Sequence, residues 1–130
     1  MASIFSRIIS GEIPCYKLAE DESHIAFLDI TPVAFGHTLV VPKREVDYYF
    51  DLSAEELGAI NGFAKMVAAK IKKAVPCRRI GVAIIGLEVP HAHIHLVPLN
   101  TMKDINFSGE RLKFTTTEML ELAEKISKTE

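Results

Sequence analysis

His91, His93 and His95 occupy every second position of one short stretch and account for three of the chain's five histidines. Successive side chains of a β-strand point to opposite faces, so a strand here would line one face with imidazoles and the other with Ala92, Ile94 and Leu96. Pro90 and Pro98 bracket the run, as suits a strand whose ends stop pairing. Imidazole is the side chain whose unperturbed pKa lies nearest neutrality, and it can ligate metals, attack electrophiles or move protons. Three in a row on one face ask for a chemical reason.

Metal binding is one reading. Residues i and i+2 of a strand are about 6.6 Å apart along its axis and i and i+4 about 13 Å. Zinc–nitrogen bonds are only about 2.1 Å long, so a single ion would need further ligands, for which His24, His37, Asp29 and Glu88 are available. Nucleophilic catalysis is the other. A neutral imidazole can attack phosphorus or an acyl carbon if an acceptor fixes its second nitrogen and donors meet the developing charge. The middle residue, His93, is the natural nucleophile. A polar strand face that merely carries histidine is the bland alternative, and the strict spacing with apolar residues between speaks against it.

These residues need a scaffold, and the surrounding pattern supplies one. Residues 4–9 suit a short helix closed by Gly11 and Pro14, and residues 16–19 and 24–29 suit strands parted by Glu20-Asp21-Glu22. A loop at 31–36 leads into a buried strand at 37–41. Ser53 and Glu56 form a capping box at the start of the clearest helix, whose apolar residues Leu57, Ile60, Ala64, Val67 and Ile71 keep the three-four spacing. Pro76 stops it. Residues 80–85 are nearly all apolar and read as a strand buried on both faces, joined to the histidine run by a short connection that favours antiparallel pairing. Thr115 and Glu118 cap a last helix reaching Lys128. The expected fold is one α+β domain over residues 1–130, with about five mostly antiparallel strands, one long helix and two shorter ones.

Composition narrows the function classes. A formal net charge of -2, with neither basic arm nor basic stripe, speaks against a nucleic-acid or anionic-membrane binder. Cys15 and Cys77 are too few for a disulfide framework, and no CxxC occurs. The opening residues lack the apolar core of a signal peptide, and no apolar run approaches the ~20 residues that span a bilayer. A cytoplasmic protein is expected.

His91-Ala-His93-Ile-His95-Leu-Val resembles the signature of the histidine triad superfamily. The likeness extends to Ser3-Ile-Phe through Pro14, to Phe27-Leu-Asp-Ile-Thr-Pro32 and to Gly36-His-Thr-Leu-Val-Val-Pro-Lys43, three motifs in the family's order. The resemblance implies a nucleotide hydrolase or transferase working at the α-phosphate through a nucleotidyl-histidine on His93. It implies that the His91 carbonyl accepts the other ring proton of His93, that His95 contacts phosphate and assists proton transfer, and that His37 supports the triad. Asp29 would hold the ribose hydroxyls, with Phe27, Leu28 and Ile30 around the base and Gly86 and Glu88 near the phosphate. A purine nucleoside 5'-phosphoramidate is the substrate this implies, with dinucleoside polyphosphates or a nearly inactive nucleotide sensor as alternatives. It further implies a homodimer with a small-molecule nucleotide substrate; no cofactor is expected, and phosphoryl transfer through histidine needs no metal in principle.

Two departures stand out. Glu88 occupies a position where many relatives carry a small hydroxyl residue that helps bind phosphate. Ser3 and Ser6 stand where some relatives carry a zinc-binding CxxC, so that zinc site is expected to be absent.

Overall fold

In the computed structural model, which describes residues 2–130, five strands form one antiparallel sheet. The strands are β1 (Lys17–Glu20), β2 (His24–Leu28), β3 (Thr38–Pro42), β4 (Arg79–Ala83) and β5 (Ile94–Leu99), arranged in the order β1-β2-β3-β5-β4. The helices are α1 (Ile4–Ile9), α2 (Ala54–Ala74) and α3 (Thr116–Ser127). No helix among the described residues is long and apolar enough to cross a membrane.

Local chemistry accounts for the helix ends. Both bonds of the Ser53–Glu56 capping box form, as do both bonds between Thr115 and Glu118 at α3. Ser3 caps α1 by accepting the Ser6 amide. The chain then leaves α1 through Gly11 at φ +84°, a conformation that side-chain-bearing residues rarely adopt.

Period-two alternation then divides the sheet between two cores. Ala26, Leu28, Val40, Ile94 and Leu96 face α2 and α3, meeting Ile60, Phe63, Val67 and Ile71 of the long helix. Ile25, Phe27, Leu39 and Val41 face the other way and pack with Phe5 of α1 in a smaller cluster. The bulky helices thus seal one face of the sheet. The second face, beneath the short helix, is left with room for a cleft.

Three strand expectations need correcting. The 80–85 segment is not buried on both faces. β4 ends at Ala83 and is the last strand of the sheet, so one edge has no partner and Val82 is 58% exposed. Nor are all three histidines strand residues, because β5 begins only at Ile94. Its ladder to β3 stops at Val40–Ile94, and the Ala92 amide bonds instead to the Val46 carbonyl at 2.6 Å. The alternation survives this. Ala92 joins Ile94 and Leu96 in the larger core, while His91 and His93 turn toward Phe5. Pro98 does not end the strand either; it lies past Leu96, where pairing to β3 has ceased.

Candidate active site

A cleft of about 510 Å³ opens on the α1 side of the sheet, a size suited to a small organic ligand. Phe27, Leu28, Asp29 and Ile30 line it from the end of β2 and the loop beyond, Gly86 and Glu88 from the turn after β4, and His93 and His95 from its floor. Gly86 makes that turn at φ +74°. Glu88 faces the cleft without an ion pair among the described residues, since Lys43 is taken by Glu20 at 2.8 Å. His37 and His91 lie behind the floor, each about 1% exposed or less. His24 is elsewhere altogether, bonded to Asp21 and stacked on Phe63.

The hydrogen bonds assign a proton to each ring. His93 Nδ1 lies 2.7 Å from the His91 carbonyl, which can only accept. In the neutral ring the proton therefore sits on Nδ1 and the lone pair on Nε2. Behind His95 the order is reversed. The Val33 amide donates to His37 Nδ1 at 3.1 Å, so His37 carries its proton on Nε2. That proton is donated to His95 Nδ1 at 2.9 Å, leaving the His95 proton on its own Nε2. Among the described residues no buried side-chain nitrogen lacks a partner, and these two Nε2 atoms have none, so both reach solvent. The rings stand 4.9 Å apart, one presenting a lone pair and its neighbour an N–H.

Burial keeps these rings neutral. It lowers the His37 pKa to about 4, helped by the charges of Arg111 and His93, and that of His95 to about 3, helped by His93 and His37. His93 is also lowered by burial, against the His91 carbonyl and the carboxylates of Asp29 and Glu88, which favour its protonated form.

Asp29, His37 and His95 place one ligand-type atom each within 4.8 Å of one another. The tautomers argue against a cation there, because His37 Nε2 bears the proton that the Val33 bond forces onto it. The other candidate zinc position, around Ser3, Ser6, Glu45 and His91, does not fit the metal either. It offers two neutral hydroxyls in place of thiolates, and its carboxylate and imidazole are already engaged by those hydroxyls in hydrogen bonds.

Several lining residues were not among those expected at the site. Ile4, Phe5 and Ile8 of α1 form one wall, and Phe107, Ser108 and Arg111 close the opposite side. Phe107 packs edge-on against His95 at 4.7 Å, and Arg111 lies over Phe107 while donating to the Thr31 carbonyl at 2.8 Å. Arg111 is the one cationic side chain lining the cleft among the described residues. Nothing local marks a polar stretch after a strand as the lid of a site; only the path of the chain brings it there.

A five-stranded antiparallel sheet in an α+β domain, with three alternating histidines at a cleft of about 510 Å³, defines a histidine triad protein. Residues 10–102 match the family model of the HIT domain, and the chain belongs to that family. Among its relatives, adenosine 5'-monophosphoramidase of Schizosaccharomyces pombe is 38% identical over 103 residues, covering 75% of this chain and 74% of the yeast protein. The crystal structure of a Hit-like protein from Bartonella henselae superposes with a TM-score of 0.83 at 32% identity, covering 96% of this chain and 93% of the other. A zinc-bound histidine triad family protein from Mycobacterium smegmatis gives a TM-score of 0.82 at 26% identity, over 98% and 91% of the two chains.

Proposed function

We propose that this protein hydrolyses or transfers nucleotides at the α-phosphate through a nucleotidyl-histidine on His93, and that purine nucleoside 5'-phosphoramidates are its substrates. The observation that carries this is the pairing of a lone pair on His93 Nε2 with a proton on His95 Nε2 at the floor of one cleft. His93 attacks phosphorus while His95 donates to a phosphoryl oxygen. The phosphorus–nitrogen bond breaks and the amine leaves with a proton from solvent. Water then attacks the intermediate, releasing the monophosphate and restoring the imidazole. His95 has a single ring proton, held outward by His37, which suits a steady donor better than a proton shuttle. Asp29, whose carboxylate is held by the Thr31 amide and hydroxyl, accepts from the ribose hydroxyls, and Phe27 and Ile30 flank the base, whereas the Leu28 side chain is committed to the helix-side core. The yeast relative's name points to the same substrate class. The test is incubation with an adenosine phosphoramidate, reading monophosphate release and a transient nucleotidyl adduct by intact mass. A folded protein that gives neither overturns the reading.

Glu88 favours an amine over a polyphosphate as leaving group. Its carboxylate is close enough to act on His93 and would accept from a departing amine but repel a departing polyphosphate. Glu88→Gln is therefore expected to raise kcat/KM for dinucleoside polyphosphates relative to phosphoramidates by about tenfold, which is about 1.4 kcal/mol. An unchanged ratio across a substrate panel removes Glu88 from the selection.

A homodimer belongs to the same proposal. Val82, Ile84, Ile85 and Leu87 expose apolar surface along the unpaired edge of β4 and the turn after it. An open apolar edge of this kind is a ready pairing surface. Sedimentation should give twice the chain mass for the native protein and a monomer for Val82→Asp. A monomeric native protein rejects the arrangement.

A further inference from the structure

We propose that Ser3, at the cap of the N-terminal helix, is a positioning residue for the nucleophile, acting through the ring and backbone of His91. This rests on the nucleophilic reading of His93 given above. His91 Nε2 lies 2.8 Å from the Pro42 carbonyl, an acceptor only, so in the neutral ring Nε2 carries the proton. His91 Nδ1 is then an acceptor, and the Ser3 hydroxyl, 2.6 Å away, donates to it. The same hydroxyl oxygen accepts the Ser6 amide at 3.0 Å, which uses its second face and directs its proton at the ring.

Glu45 locks this arrangement from outside. Its Oε1 accepts both the Ser3 amide at 2.7 Å and the Ser6 hydroxyl at 2.6 Å. Those bonds, the Ser6 one largest, bring the Glu45 pKa down to about 2, so it stays an acceptor at neutral pH. The Ser6 hydroxyl also lies 3.5 Å from His91 Nδ1, but its shorter bond to Glu45 leaves Ser3 as the nearer donor to the ring. His91 is fully buried and held at both nitrogens, which fixes the residue whose carbonyl takes the His93 Nδ1 proton. Phe5, two residues beyond Ser3, also packs edge-on against the His93 ring at 5.0 Å. The helix that walls the cleft therefore also aims its nucleophile.

The variant to make is Ser3→Gly, because glycine is itself an acceptable helix cap and removes only the hydroxyl. Ser3→Thr restores the hydroxyl, and Ile126→Val in the distant core is a control for stability loss alone. Nitrogen-15 spectra of the imidazoles in ligand-free protein should show the Nε2–H tautomer for His91 and the Nδ1–H tautomer for His93. In Ser3→Gly the His93 ring should become a tautomer mixture and kcat should fall roughly tenfold or more. KM should change less than about threefold, because the cleft contacts remain. Ser3→Thr should recover both readouts, and Ile126→Val should leave both unchanged. Native-like tautomers and kcat in Ser3→Gly, or an Nδ1–H tautomer for His91 in the native protein, overturn the inference. The spectra need no substrate. A native protein without turnover would thus reject the phosphoramidate reading alone, and a tautomer mixture in Ser3→Gly would still establish the link from Ser3 to His93.

Discussion

His93→Ala loses adduct formation altogether, and its kcat/KM for an adenosine phosphoramidate falls by at least about a thousandfold, more than about 4 kcal/mol of transition-state stabilisation. The size follows from the site's division of labour. His95 Nε2 is a proton donor because His37 occupies its other nitrogen, so it cannot take over as nucleophile without reversing two tautomers. His91 has both ring nitrogens engaged and does not line the cleft. No second imidazole can substitute. Removing the ring also leaves a void beside Phe5, so a thermal melt must accompany the rate measurement to show that the variant is folded. Undiminished activity in a folded His93→Ala protein rules out the nucleotidyl-histidine at this position.

Acidification from pH 7 to pH 4 destabilises the fold by roughly 3 kcal/mol through His37 alone, which for a domain of this size is a fall in Tm on the order of 10 °C. The sign follows from burial. Unfolded, the ring takes a proton near the ordinary 6.5; folded, it does so only at about 4. Between those values the unfolded chain binds a proton that the native chain refuses, so stability present above pH 6.5 is lost as pH falls through the folded value. His95, lowered to about 3, acts in the same direction and extends the window downward. The depressed carboxylates Glu45 and Glu56 add a loss only below about pH 4.5, so the upper part of the window reports the histidines. Melting curves at pH 7, 6 and 5 check this, and a Tm unchanged over that range contradicts it. The acid limb of kcat/KM, set by His93, should likewise fall below pH 6.5.

Much of the fold was legible because its signals are local. Ser53 with Glu56 and Thr115 with Glu118 are helix starts that need no tertiary partner, and both formed. The alternation of His91, His93 and His95 with Ala92, Ile94 and Leu96 foretold which residues would enter the main core. The misread segments were those whose burial depends on sheet order. An apolar run such as 80–85 reads alike at the centre of a sheet and at its edge, and here it is the edge. The start of β5 likewise depends on Val46, far along the chain, which takes the Ala92 amide out of the ladder.

By itself, then, the sequence determined the family: a row of alternating imidazoles, with Asp29 and His37 in motifs near it and Glu88 as a departure beside it. Only the tertiary structure decided which tautomer His37, His91 and His95 hold. An isolated histidine exchanges freely between tautomers, and the choice is made by whichever acceptor or donor meets its second nitrogen. Those partners are the Pro42 carbonyl, the Val33 amide and the Ser3 hydroxyl. They come from a strand, a loop and a helix that no local pattern brings together. The same long-range folding brings Phe107 and Arg111 to the cleft and sets the His95 N–H beside the His93 lone pair.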